Sequence, residues 1–219
     1  MSNSPQLLFV AGPNGAGKST LSKELSEPNA IIFDVDKVIA QIEAQSPGIS
    51  KKQVYQAATE EFYKQANQAI RQKQHFTLET NFRDEGLVDI VSEFKRFGYI
   101  TNMVYLTLER IEQSMDRVNQ RVKNGGHYVD LKNIRQNYTL GLEYLERFAG
   151  RFDNLEIVDA SGSAGRLRSL LSIRQNQLVF LTGDPPEWII PTLNGIAARF
   201  SQNDRGADND EIRSPPRGR

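Results

Sequence analysis

The octapeptide Gly12-Pro13-Asn14-Gly15-Ala16-Gly17-Lys18-Ser19 fits the pattern G-x-x-x-x-G-K-[ST] and follows directly on the apolar run Leu7-Leu8-Phe9-Val10-Ala11. That juxtaposition narrows the possible folds sharply. A short run without polar alternation suits a strand buried on both faces, as in a parallel sheet. Ser19 to Leu25 can start a helix, which Pro28 and Asn29 close off. Between strand and helix, the glycines allow consecutive N–H groups to turn toward phosphate oxygens. Lys18 is then expected to reach the β- and γ-phosphates of ATP, and the Ser19 hydroxyl to ligate Mg²⁺. The helix that follows adds its positive end to the same anion. Residues Gly12 to Thr20 are thus the expected nucleotide cradle. The motif's wording also suits a transporter ATPase of the ABC type. Such a chain needs an LSGGQ-like signature and a later apolar strand ending in Asp-Glu, and the sequence has neither.

The rest of the chain continues the alternation. Ile31 to Phe33 reads as a second buried strand, ending on Asp34 and Asp36. Ser50 is placed to cap a long helix reaching about Gln74, in which Val54, Ala58, Phe62, Ala66 and Ala69 recur at helical spacing. Strands are predicted at Phe76–Leu78, Tyr99–Leu108 and Leu155–Val158, and helices at Asp84–Phe97, Glu109–Lys123 and Leu131–Phe148. Arg168–Arg174 and Leu178–Thr182 suit a hairpin or short edge strands, and Trp188–Phe200 a terminal helix. This pattern predicts an α/β fold: a P-loop NTPase with a nucleotide-kinase-like parallel sheet, helices on both faces and a helical lid. One domain is expected over residues 1–200, and a polar, disordered tail over 201–219.

Charge and composition exclude several classes. The 27 basic and 27 acidic side chains cancel, so no global field attracts nucleic acid, and no aromatic-plus-basic stripe is present. Cysteine is absent, which removes disulfides, thiolate metal sites and a catalytic thiol. Met1 to Gln6 lacks a basic n-region and a signal-length apolar run, and no stretch approaches the ~20 apolar residues of a membrane span. The expectation is a soluble cytoplasmic protein with a small-molecule substrate and no nucleic-acid or membrane partner.

Candidate chemistry gathers where the strands should end, the edge at which parallel sheets bind ligands. Asp34 and Asp36, two apart in an extended segment, can point the same way. Asp36 is the candidate base for a substrate hydroxyl, and Asp34 a candidate magnesium ligand through water. The bland alternative makes the pair a solvated loop and a helix cap before Lys37-Val38-Ile39. Glu79, Thr80, Asn81 and Arg83 offer a carboxylate, a hydroxyl, an amide and a guanidinium in five residues, a set able to bind a polyhydroxylated or phosphorylated substrate. Asn81 or Asp84 could equally cap the next helix. Arg117 and Arg121 share one helix face, and with Arg135 they flank the Gly125-Gly126-His127 turn. Beside an ATP site, Arg121 and Arg135 suggest a closing lid that neutralises the transferred phosphoryl group, with Arg117 on the substrate side. His127 suits the turn itself, and His75 a structural or exposed position.

Together these residues resemble the zeta-toxin family of P-loop kinases. The likeness is carried by Ala11 to Thr20, by Asp36, by Glu79-Thr80-Asn81-Phe82-Arg83, and by Arg121-Val122 followed by Gly125-Gly126-His127. It runs from about Leu7 to Trp188. The resemblance implies a nucleotide-kinase-like fold using ATP and Mg²⁺, with transfer to the 3′-hydroxyl of UDP-N-acetylglucosamine and restraint by a separate antitoxin chain. By the same resemblance, Lys18 and Ser19 take the nucleotide and metal roles and Asp36 that of the base. Glu79, Asn81 and Arg83 fall on the substrate side, and Arg121 and Arg135 in the lid. Asn81 stands where threonine is usual and Asp130 where proline is common. The Asp-x-Asp pair is also similar to that of shikimate- and gluconate-type kinases, so another small hydroxylated acceptor stays open. So does a nucleotide-gated ATPase switch acting through a protein.

Overall fold

A computed structural model describes residues 4–126, 128–162 and 165–207, with side chains to residue 200. Seven strands form one sheet in the order β2-β3-β1-β4-β5-β6-β7. The first five are parallel: β1 (Gln6–Ala11), β2 (Ile31–Asp34), β3 (Phe76–Thr80), β4 (Ile100–Thr107) and β5 (Asn154–Asp159). The last two, β6 (Arg168–Arg174) and β7 (Gln177–Leu181), add an antiparallel hairpin. Its two-residue loop places Gln175 and Asn176 at positive φ, the twist a tight hairpin needs. Of the two arrangements the sequence allowed for this region, the hairpin is the one formed.

Seven α-helices accompany the strands among the described residues. They are α1 (Lys18–Leu25), α2 (Val35–Gln45), α3 (Lys51–Gln72), α4 (Gly86–Arg96), α5 (Ile111–Lys123), α6 (Leu131–Phe148) and α7 (Ile190–Ala207). Ser50 caps α3 through a reciprocal box with Gln53, and the buried residues of α3 are Val54, Ala58, Phe62, Ala66 and Ala69, the stripe its spacing predicts. Helix α7 runs past the expected end at Phe200 to Ala207, so the chain is still helical where the tail was expected to begin; residues 208–219 lie outside the described residues.

Side-chain alternation along the strands sends Leu7, Phe9, Ala11, Phe33, Phe76, Leu78, Met103, Tyr105, Leu155 and Ile157 to one face, where they pack with residues of α3, α4, α6 and α7. The opposite face carries a far smaller cluster of Ala16, Leu106, Leu108, Val158 and Ala160, with Leu21 packed against it. Helices therefore cover one face fully and the other in part. Between α1 and β6 a hollow of about 480 Å³ remains over Leu8, Thr77 and Val104.

Register brings the chemistry together. Asp34 lies beside Glu79, Glu79 beside Val10, and Thr80 beside Ala11, directly ahead of the glycine loop. The carboxyl ends of β1, β2 and β3 thus form one rim.

Candidate active site

The loop from Gly12 to Gly17 leaves β1 in conformations closed to most side chains. Gly12 sits at φ +136°, and a Cβ there would lie 2.3 Å from the Leu106 carbonyl oxygen. Gly17 is left-handed and starts α1 without a side-chain cap, so the first N–H groups of the helix are not spent on one. Lys18 folds back over the loop, and its ammonium donates to the carbonyls of Gly12 (2.9 Å) and Pro13 (3.1 Å) and to Asn81 Oδ1 (2.9 Å). Burial lowers its pKa, opposed in descending order by the charges of Asp36, Glu79 and Asp34, while Arg121 adds to the lowering.

Glu79 is almost fully buried. Its Oε2 accepts from Ser19 Oγ at 2.7 Å and its Oε1 from Ser22 Oγ. Burial raises its pKa, with Asp34 adding to the rise, while the two serine hydroxyls and Lys18 work against it. The strand then ends in a tight turn. Thr80 Oγ1 accepts from Phe82 N at 3.0 Å, and Phe82, at φ +53°, drives its ring between Phe9 and Phe152. A buried aromatic in the left-handed region is costly and holds only because the core fixes it. It leaves Asn81 and Arg83, on either side, facing the cavity.

That cavity measures about 750 Å³ and lies between the rim, α2, α3 and the start of α6. Lys18, Asp34, Asp36, Glu79, Thr80, Asn81 and Arg83 all line it. The Asp-x-Asp pair is not in an extended segment, however. Asp34 caps α2, accepting from Lys37 N at 3.1 Å, and Asp36 stands in the first helical turn. The helix-cap reading of the pair is the one the geometry forms, and the charges of both residues act on Lys18. Asp84 Oδ1 accepts from Gly86 N ahead of α4, which makes Asp84, not Asn81, the residue that serves that helix start.

The arginines separate. Arg117 is committed to backbone: its guanidinium donates to the carbonyls of Gly15 (3.3 Å), Ala160 (2.9 Å), Ser161 (3.4 Å) and Gly162 (3.3 Å). It ties the phosphate loop to the end of β5 and does not line the cavity, so its place on the substrate side is corrected to a brace for the loop. Arg121 and Arg135 are exposed, on the last turn of α5 and the second turn of α6, outside the cavity lining; Arg121 is close enough for its charge to act on Lys18. The turn residue His127 lies outside the described residues. His75 accepts from Gln6 N through Nδ1, away from the cavity, as a structural residue should.

Some contributors escape a sequence reading. Ser22 completes the cradle of Glu79, one turn after Ser19 on α1. Asp130 caps α6 by accepting from Asn133 N at 2.9 Å. Asn133 and Gln136 accept from Arg83. Asn137 pairs with Asn14 of the loop at 2.6 Å. The one legible signal was a polar residue on the buried stripe Ile134, Asn137, Gly141, Leu145.

A glycine-rich loop joining the central strand of a parallel sheet to a helix, with lysine and acids converging on its rim, defines a P-loop protein of the kinase type. The chain belongs to the zeta toxin family, whose family model matches residues 1–169. An uncharacterized protein of Haemophilus influenzae is 28% identical over 131 residues, 60% of this chain and 91% of that one. Among solved structures, the PezAT toxin–antitoxin system of Streptococcus pneumoniae superposes with a TM-score of 0.55 at 16% identity, covering 97% of this chain and 89% of that one. AvrRxo1-ORF1:-ORF2 with ATP gives 0.58 at 13%, over 92% and 77%. A chain of the Pnkp1/Rnl/Hen1 RNA repair complex gives 0.57 at 18%, over 68% of this chain. This chain spans only 47% of the length of that last one. At such identities the structural likeness is one of fold. No helix among the described residues is long and apolar enough to cross a membrane.

Proposed function

We propose that the protein is a kinase transferring the γ-phosphoryl group of ATP to a hydroxyl of a small molecule, with UDP-N-acetylglucosamine as the acceptor. The observation that carries this reading is the meeting of Lys18, Asp36 and Glu79 on one cavity at the mouth of the phosphate loop. The loop N–H groups and the start of α1 would hold the phosphates. Lys18 would exchange its bonds to Asn81 and the loop carbonyls for phosphate oxygens, keeping its charge at the site where negative charge moves. Asp36 would take the proton of the acceptor hydroxyl.

A hydroxyl and a carboxylate 2.7 Å apart, at Ser19 and Glu79, are hard oxygen donors suited to Mg²⁺, with nucleotide phosphates completing its shell. Held there, such an ion would supply positive charge to the phosphates of the nucleotide. On this reading Glu79 serves the metal side of the site, and Asp34 orients groups around it while capping α2. Asn81, Thr80 and Arg83 face the acceptor. Arg121 and Arg135, flanking the connection between α5 and α6, would supply positive charge as that connection closes over the cavity. Membership of the zeta toxin family supports a cognate antitoxin as partner and a cytoplasmic site of action.

The test is transfer of labelled γ-phosphate to UDP-N-acetylglucosamine, followed by mass spectrometry for a product heavier by one phosphoryl group. Lys18→Ala should abolish turnover and most ATP binding, and Asp36→Asn should abolish turnover while ATP still binds. Near-wild-type turnover in Asp36→Asn would remove the base assignment. Transfer to a sugar acid or nucleoside instead would replace the acceptor.

A further inference from the structure

Lys18 has three N–H donors, and the protein takes all of them: the carbonyls of Gly12 at 2.9 Å and Pro13 at 3.1 Å, and Asn81 Oδ1 at 2.9 Å. An ammonium has no fourth proton to give, so a bond to phosphate requires that one of these contacts be released. The three are not equal. Gly12 and Pro13 offer backbone carbonyls of the phosphate loop, whose start at Gly12 is packed too tightly against Leu106 for even a Cβ. Asn81 offers a side-chain oxygen from another strand end, 63 positions away. Its backbone is held firmly. Phe82 keeps φ +53° with its N–H on Thr80 Oγ1 and its ring against Phe9 and Phe152. On α6, a Cβ at Gly141 would lie 2.9 Å from the Asn81 carbonyl oxygen, so that helix rests directly on this residue. The Asn81 side chain lies half-buried on the cavity wall, where a change of rotamer moves no backbone. Asn81 is therefore the contact of Lys18 that yields with least disturbance to the fold.

We propose that Asn81 is a positioning residue shared between Lys18 and the phosphoryl acceptor: its Oδ1 holds the lysine until a nucleotide phosphate takes that N–H, and the released amide then turns to the acceptor. Two consequences follow. The bond that Lys18 makes to phosphate is offset by the bond to Asn81 that it breaks, so the asparagine weakens nucleotide binding when the acceptor is not there. The nucleotide also frees the amide that the acceptor uses, so the two ligands bind better together than apart. By linkage each tightens the other by the same factor. An amide both donates and accepts, and a hydroxyl can answer either way, so the pairing suits a hydroxylated acceptor. This inference rests on the phosphotransferase reading above.

The test is titration calorimetry on wild type, Asn81→Leu and Asn81→Ala with AMP-PNP and Mg²⁺, an ATP analogue whose γ-phosphoryl group is not transferred. The acceptor probe is whichever of UDP-N-acetylglucosamine, gluconate and adenosine wild type phosphorylates with ATP. Without acceptor, both variants should bind AMP-PNP about 3–10-fold more tightly than wild type, since Lys18 no longer gives up a side-chain bond. That sign is opposite to the loss expected if the asparagine served only to shape the site. In wild type, AMP-PNP should tighten acceptor binding about 10-fold or more, and in the variants by less than about 3-fold. Weaker or unchanged AMP-PNP binding in the variants would overturn the proposal and leave the kinase reading standing. So would a coupling factor below about 3 in wild type, or one that the substitutions leave unchanged. If Asn81→Leu shows no cooperative thermal transition, Asn81→Ala decides alone by the same criteria. Wild type that phosphorylates none of the three acceptors would overturn the kinase reading and this inference with it.

Discussion

Glu79→Gln separates what the buried carboxylate does for stability from what it does for activity. In the structure both oxygens are engaged, Oε2 by Ser19 at 2.7 Å and Oε1 by Ser22, and the residue is 5% exposed. Hydrogen bonds to a charged acceptor contribute about 1.5–3 kcal/mol each and neutral ones about 0.5–1.5, so glutamine would forfeit roughly 2–3 kcal/mol across the pair. Against this stands the cost of holding a carboxylate in a desolvated position, an effective penalty of several kcal/mol. Burial is the largest influence on Glu79 and raises its pKa, so the charged form is the one the fold disfavours. The two effects oppose, and the net change should stay within about 1 kcal/mol, or about 2–4 °C in Tm for a chain of this size. Turnover should nevertheless fall about 10–100-fold if Glu79 supports the metal through Ser19. The sign with pH follows from the same shift. Between the ordinary glutamate pKa and the raised folded value, the native state binds more protons than the unfolded one. The Glu79 contribution to stability therefore falls as pH rises through that window, and the glutamine variant should lack this slope. Urea unfolding of both proteins across mildly acidic to neutral pH, alongside turnover at neutral pH, measures both quantities. A variant destabilised by several kcal/mol yet fully active would refute the reasoning.

Two further outcomes follow from backbone geometry. Gly12→Ala combines a positive φ with a Cβ placed 2.3 Å from a carbonyl oxygen and should cost about 3 kcal/mol or more, whereas Gly98→Ala, at φ +81° in open space, should cost only about 1–2 kcal/mol. Thermal unfolding of the two variants compares clash with conformation directly, and equal losses would discount the clash. Ser50→Ala removes the side-chain half of the α3 capping box, in which Gln53 N donates to Ser50 Oγ at 3.3 Å, and should lower stability by about 1 kcal/mol, read as a Tm decrease of about 2–4 °C.

Local chemistry determined much of this protein. The glycine loop, its lysine and its serine are legible because G-x-x-x-x-G-K-[ST] states a backbone requirement and two contacts within eight residues. The buried stripe of α3 was legible because helical period and burial are one fact seen twice. Likewise Leu7–Ala11, short, apolar and followed at once by glycine, suited an interior strand, and the belonging of Asp34, Asp36 and Glu79 to one rim followed from where strands end. Tertiary structure decided which partners those residues meet. Strand order and register place Glu79 beside Val10, and only that neighbourhood turns it toward Ser19 and Ser22. Arg117 had the same charge and spacing as its helical neighbour Arg121, yet its position over the end of β5 spends it on four carbonyls. The pairing of Asn14 with Asn137 spans 123 positions and carries no local signal beyond a polar residue on a buried stripe. A motif records contacts made within a few bonds of itself. Which of two equal side chains meets a phosphate, a metal or a carbonyl depends on packing between segments far apart in the chain, and those partners are fixed only when the sheet is assembled.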